Sequence, residues 1–218
     1  YCLPAERDVL ADWNNTAIAE KPTAAPTIVH WFENAVSQFA QNAAVIHCDT
    51  TLTYDQLNRK ANQFARHLLA SGLHHGDKVG ICIGRSADML VSVWGVLKAG
   101  GVYIPIEASY PQERIQYILQ DSEARILVSE SCIAKRLQTF AGTTLLLDDA
   151  ALDLAQYGDS NLPVKPQGSD GIYIIYTSGS TGNPKGAAIH HAGEVNLQNW
   201  YTGACGFNAA DRTIVVSA

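Results

Sequence analysis

From Thr27 to Ala40 the apolar residues Ile28, Trp31, Phe32, Ala35, Val36 and Phe39 recur at helical spacing, with Thr27 placed to cap the first turn. The pattern predicts an amphipathic helix. Ala43–Cys48 and Leu52–Tyr54 flank the polar Asp49-Thr50-Thr51 and predict two short strands joined by a tight turn. A longer helix follows, with Thr53 as its cap and Tyr54, Leu57, Ala61, Phe64, Ala65 and Leu68 on one face. Gly72 is positioned to end it.

Beyond Gly76 the pattern changes. Val79-Gly80-Ile81-Cys82-Ile83 is a short continuous apolar run, as expected of a strand covered on both faces. Ala87–Ala99 has helical length and is stopped by Gly100-Gly101, after which Val102–Ile106 reads as strand. Pro111 opens a helix through Ile115, Ile118 and Leu119. A strand at Arg125–Val128, a helix near Ile133 to Phe140 and a strand at Thr144–Leu147 come next. Strand and helix alternate four times, which predicts an α/β fold with βαβ crossovers and a largely parallel sheet flanked by helices. The polar, proline-punctuated stretch from Leu147 to Ser169 reads as a surface connection, and Ile172–Tyr176 as a further strand.

Composition narrows the classes of function. The 218 residues are 47% hydrophobic and 17% charged, which is ordinary for a globular protein and excludes a disordered tail. With 15 basic against 21 acidic residues the net charge is −6, and no basic cluster exists to track a phosphate backbone, so nucleic acid is not an expected partner. Met89–Leu97, the most apolar stretch, is too short to span a bilayer, and Tyr1–Asp8 lacks the pattern of a signal peptide. No membrane association is expected. Cys2, Cys48, Cys82, Cys132 and Cys205 are odd in number, scattered and without a C-x-x-C pair. They read as reduced, mostly buried thiols of a cytoplasmic protein.

Chemistry concentrates in Tyr176-Thr177-Ser178-Gly179-Ser180-Thr181-Gly182-Asn183-Pro184-Lys185-Gly186, which places four Ser/Thr hydroxyls, three glycines and one lysine between two apolar strands. Glycines let successive N–H groups converge on an anion, the hydroxyls add donors, and Lys185 adds a mobile positive charge. These are the requirements of a polyphosphate. The P-loop pattern fails, because it needs glycine at Pro184 and Ser or Thr at Gly186, and no G-x-G-x-x-G follows a strand. Elsewhere His74 and His75 read as exposed turn residues, and Trp200 and Tyr201 as packing residues at helical spacing with Leu197. His190 and His191, as strand neighbours, point to opposite faces and do not share a ligand. His191 reads as a buried hydrogen-bonding residue near the loop rather than a catalyst.

The run Tyr176–Gly186 resembles the phosphate-loop signature of the adenylate-forming enzymes: acyl-CoA synthetases, luciferases and the adenylation domains of nonribosomal peptide synthetases. Leu52–Asn58 and Leu97–Ile106 are similar to the first two core motifs of the adenylation-domain branch, and the three occur in the family's order. Gln56, where Glu is frequent, and Glu107-Ala108, where Asp-Pro is frequent, are small departures. Leu10–Thr16 is similar to the segment that joins a preceding condensation domain, and Tyr110–Ile115 and Lys185–Asn196 also fit.

The resemblance implies layered sheets flanked by helices, as in the large N-terminal subdomain of such an enzyme, with residues 1–26 a linker from a condensation-type domain. Residues 27–218 would be the N-terminal part of an adenylation domain, incomplete at its C-terminal end, because the family's later motifs find no match before Ala218. It further implies that ATP activates an amino or related carboxylic acid as an acyl adenylate, which passes to the phosphopantetheine thiol of a carrier protein. Thr177, Ser178, Gly179, Ser180, Thr181 and Gly182 would wrap the β- and γ-phosphates, with Lys185 neutralising their charge. Magnesium would be held by a residue outside this segment, and this segment itself supplies no metal ligand. Some adenylation domains bind a small MbtH-like protein. The alternatives are an acyl-CoA synthetase-like ligase fragment and a non-catalytic nucleotide-binding or structural half-domain.

Overall fold

The computed structural model describes residues 3–13, 26–137, 140–163, 165–177 and 184–214. A first helix, α1 (Pro4–Trp13), is exposed along its length. Then come α2 (Ile28–Phe39), the antiparallel pair β1 (Ala43–His47) and β2 (Thr50–Thr53), α3 (Tyr54–Ala70), β3 (Lys78–Cys82), α4 (Ala87–Lys98), β4 (Val102–Pro105), α5 (Gln112–Asp121) and β5 (Ile126–Ser129). The chain continues through α6 (Ser131–Ala134), β6 (Thr143–Leu146), a 3₁₀ turn at Leu154–Gln156, β7 (Gly171–Thr177), β8 (Lys185–His190) and α7 (His191–Cys205).

Six strands form one sheet in the order β6-β5-β3-β4-β7-β8, parallel throughout except for the antiparallel β7–β8 pair. Alternation of side chains sorts the core into two layers. Val79, Ile81, Ile126 and Val128 face Phe64, Leu68, Val91 and Val96 of α3 and α4. Cys82, Ile104 and Leu127 face Ile115, Ile118 and Leu119 of α5. The expected α/β sheet with helices on both faces is therefore present.

Local chemistry explains the boundaries. Thr53 and Gln56 form a reciprocal capping box on α3: the Gln56 N–H donates to Thr53 Oγ1 at 3.2 Å and the Thr53 N–H to Gln56 Oε1 at 2.9 Å. Gln56, where Glu is frequent in the family pattern, thus completes the cap. Gly100, at φ +78°, turns the chain after α4, and the Gly101 N–H donates back to the Val96 carbonyl at 2.9 Å.

Three expectations need correction. The helix expected near Ile133 to Phe140 is one turn, α6, because the chain tightens into i→i+3 hydrogen bonds from Arg136 to Ile133 and from Leu137 to Ala134. The thiols are not mostly buried: among the described cysteines Cys82 is buried and Cys48, Cys132 and Cys205 are exposed, all of them free. The stretch after Leu147 is more than a surface connection. It is held along α3, where the Arg66 guanidinium donates to the carbonyls of Gly158 and Ser160 at 2.9 and 2.7 Å and Asn62 Nδ2 donates to the Asp159 carbonyl at 2.7 Å. Leu162 of this stretch is buried.

Candidate functional site

The parallel strands β3, β4, β5, β6 and β7 have their carboxyl ends, at Cys82, Pro105, Ser129, Leu146 and Thr177, on the same side of the sheet, with β7 running about two residues beyond β4. In open α/β sheets the crevice outside these carboxyl ends is where ligands bind. Thr177 is the last residue of β7 and pairs across the hairpin with Lys185, the first residue of β8. Both are exposed. Thr177 and Lys185 therefore stand on the carboxyl-end side of the sheet. Ser178, Gly179, Ser180, Thr181 and Gly182 lie outside the described residues, so of the seven candidates the structure brings together Thr177 and Lys185.

Gly186 is needed where it stands. A Cβ there would meet Ile174 Cγ2 at 2.7 Å and Tyr176 Cζ at 3.1 Å. The close approach lets the Tyr176 ring lie against β8, and its hydroxyl then reaches α5, donating to Asp121 Oδ2 at 2.7 Å. Tyr117, one turn before Asp121, donates to the Pro184 carbonyl at 3.2 Å. Burial, reinforced by the Asp121 carboxylate, raises the pKa of the Tyr176 hydroxyl and keeps it a donor.

His190 and His191 are not strand neighbours. His190 ends β8 and His191 opens α7, with its N–H donating to the Asp170 carbonyl at 2.9 Å. His191 lies at the opposite end of β8 from the loop, about 17 Å along the strand at the usual rise. It is buried as expected, but its Nδ1 has no hydrogen-bond partner, and burial lowers its pKa to about 4. His74 and His75 are exposed as expected, facing Asp77 and Asp170 at 3.4 and 3.3 Å. Trp200 and Tyr201 do not pack inward: they are 53% and 45% exposed. α7 buries His191 and Val195, which lie on the opposite stripe of the helix.

The sequence reading missed a buried ion cluster. Lys98 Nζ donates to Glu33 Oε1 at 2.6 Å, Lys165 Nζ donates to Glu33 Oε2, and Lys98 also reaches Asn161 Oδ1 at 3.4 Å. Burial alone would raise the Glu33 pKa, but the two ammonium groups hold it below its ordinary value. A signal existed: Glu33 falls on the apolar stripe of its helix beside Val29, Phe32 and Val36, and a carboxylate there demands a buried partner. An open apolar cavity of about 350 Å³ lies between α2, α4 and α7, lined by Phe32, Trp94, Leu90 and Thr202 among others. Neither Thr177 nor Lys185 lines it. Among the described residues no group of three or more His, Cys, Asp or Glu is arranged to hold a metal ion. No helix among them is long and apolar enough to cross a membrane.

The family model described as "AMP-binding enzyme" matches residues 32–218. The chain belongs to the AMP-binding enzyme family. Within this AMP-binding family it is 41% identical over 217 residues to tyrocidine synthase 3 of Brevibacillus parabrevis, covering 98% of this chain and 3% of that protein. It is 38% identical over 183 residues to tyrocidine synthase 1 of the same organism, covering 83% of this chain and 17% of the relative. The AMPPNP-bound crystal structure of the nonribosomal peptide synthetase FmoA3 superposes with a TM-score of 0.86 at 29% identity, over 99% of this chain and 22% of that one. The chain thus spans a small part of the length of these proteins. Its likeness to peptide synthetases extends over nearly all of its own length.

Proposed function

We propose that this chain contributes the phosphate-binding part of an adenylation domain that activates an amino acid or related carboxylic acid with ATP for transfer to a carrier-protein thiol. The observation that carries this reading is the glycine- and hydroxyl-rich segment Thr177–Lys185 leaving the carboxyl end of a parallel strand, in a chain of the AMP-binding family. The AMPPNP of the similar synthetase structure supports ATP as the nucleotide.

In this reading the acid's carboxylate attacks the α-phosphorus of ATP, forming the acyl–phosphate bond as the bond to pyrophosphate breaks. Thr177, Ser178, Gly179, Ser180, Thr181 and Gly182 surround the β- and γ-phosphates, and Lys185 neutralises charge on the leaving pyrophosphate. Catalysis of this kind is positioning and electrostatics, with no covalent bond to the protein. Magnesium, when bound, supplies further neutralisation of the phosphates from ligands outside the described set. Residues 27–218 belong to the adenylation unit and 1–26 to a linker from a condensation-type domain, which the start of the family match at residue 32 supports. A carrier protein and a neighbouring condensation domain are the partners, the compartment is the cytoplasm, and an MbtH-like protein is a further partner to test.

The test is exchange of labelled pyrophosphate into ATP by the full-length protein across a panel of amino acids. Lys185→Ala is expected to raise the KM for ATP by about tenfold or more, as loss of a charged contact does, with little change in the KM for the acid. Unchanged kinetics at limiting ATP would remove Lys185 from the site. Absence of exchange with every acid would overturn the adenylation reading.

A further inference from the structure

The segment that carries the proposed phosphate chemistry hangs from two stems, and both are tied to the same helix. On the outgoing side, Tyr176 reaches Asp121 Oδ2 at 2.7 Å. On the returning side, the Pro184 carbonyl accepts from the Tyr117 hydroxyl at 3.2 Å, and that hydroxyl also lies 3.5 Å from Asp121 Oδ1. Tyr117 and Asp121 are four residues apart and share one face of α5. Their own position is fixed from below, because Ile115, Ile118 and Leu119 are buried in the sheet's core and Ser122 Oγ donates to the Ile118 carbonyl at 2.6 Å. The brace runs from a rigid part of the molecule to the outer hairpin.

We propose that Tyr117 and Asp121 of α5 are positioning residues for nucleotide binding, holding the end of the β7–β8 hairpin that carries the paired Thr177 and Lys185 in place against α5. The proposal rests on the adenylation reading above and assigns work to residues outside the phosphate signature. Two features distinguish it from ordinary packing. A phenylalanine at position 176 would fill the same space against Gly186 and Ile174, so the hydroxyl is superfluous to the core. Asp121 is exposed, so its bond adds little to global stability, and its effect falls on the strand ends it holds. A site held in its bound geometry avoids an ordering cost on binding.

The experiment uses the full-length protein carrying Tyr176→Phe, Asp121→Ala or both, with Tyr117→Phe as a second cut and Asp121→Asn as the conservative variant. Affinity for ATP, measured by equilibrium binding without the acid, is expected to fall about five- to tenfold in each single variant, the span of one or two lost hydrogen bonds. The Tyr176→Phe/Asp121→Ala double variant falls no further, because both changes remove one bond. Asp121→Asn keeps an acceptor oxygen and recovers most of the loss, while the KM for the acid stays within about twofold. Amide hydrogen exchange in the nucleotide-free protein gives an independent readout: peptides covering 173–177 and 184–188 exchange faster in the variants. Unchanged exchange at both stems overturns the brace. Faster exchange with unchanged ATP affinity overturns the positioning role. A wild-type protein that binds no ATP sinks the reading beneath it, while the exchange rates still judge the brace.

Discussion

Along β3 and β5 every residue from Val79 to Cys82 and from Ile126 to Ser129 is buried, whereas along β8 every residue except Ile189 is exposed. The inner flank also buries charge and satisfies it, with Glu33 held between Lys98 and Lys165. The outer flank leaves Ile175, Leu197 and Trp200 42%, 51% and 53% exposed. Cohesion and the proposed chemistry are thus separated: the strands that hold the fold together lie inside, and the hairpin that carries Thr177 and Lys185 lies at the edge. Local opening should be cheapest at the hairpin that carries the proposed phosphate-binding residues.

The hardest blow to the inner flank is Lys98→Met. It leaves Glu33 buried with only the partly exposed Lys165, and removing one partner of a buried pair costs about 3–5 kcal/mol. Urea unfolding of the 218-residue chain measures it. Replacing Glu33 and Lys98 together by Leu and Met should cost less than Lys98→Met alone, because no uncompensated carboxylate remains. A double variant worse than the single would show that the cluster acts by packing rather than by charge.

Acid acts next, at the junction of the two flanks. Burial depresses the His191 pKa from 6.5 to about 4, with the Asp170 charge opposing and His30 adding to the shift. Above about pH 7 the imidazole is neutral in both states and contributes nothing to pH dependence. Between about pH 6.5 and 4 the unfolded chain takes up a proton that the folded one refuses, so stability falls as pH falls, by on the order of 3 kcal/mol once below pH 4. His30 and His67 are also lowered by burial and act in the same direction. The decisive measurement is therefore a difference: the loss of stability between pH 7.5 and 4.5 should be smaller in His191→Gln than in the wild type. Equal losses would mean that His191 is solvated in solution.

A steric probe sharpens the inner side further. A Cβ on Gly95 would meet Phe64 Cδ1 at 2.6 Å and Phe64 Cβ at 3.2 Å, where α4 lies against α3. Gly95→Ala should cost about 1–3 kcal/mol by overpacking, even though alanine favours helix. A stabilised variant would show that the two helices separate freely.

Periodicity made much of this legible. Thr53 with Gln56, the Leu57–Phe64–Leu68 stripe and the alternating strands and helices are local patterns, and each carries its partner within a few residues. The cluster at Glu33 joins residues 65 and 132 positions apart, and the brace joins Tyr176 to a residue 55 positions away. No local period encodes such pairs. His191 was misplaced because a strand and a helix start meet at His190–His191, where the repeat changes from two to 3.6 residues. For the proposed phosphate-binding segment the expectation rests on residue types alone, since Gly, Ser, Thr and Lys suit a polyphosphate. The contacts of Tyr117 and Asp121 with the hairpin depend on α5 packing beside it, which no local pattern encodes.

The smallest expected effect tests the outer flank. Leu197, Trp200 and Tyr201 fall at helical spacing, and the spacing alone argues for packing, yet the buried stripe of α7 is His191 and Val195. Trp200 is largely exposed, so Trp200→Ser removes apolar surface that was never taken from water. Unfolding free energy should then change by less than about 0.5 kcal/mol, as for ordinary surface substitutions. Self-association, followed by sedimentation at rising concentration, should fall, because an exposed aromatic group favours contact between molecules. A cost near that of burying a large side chain, about 2 kcal/mol or more, would place Trp200 inside a packed interface. The outer flank would then be as cohesive as the inner one, and the separation of cohesion from chemistry would fail at α7 first.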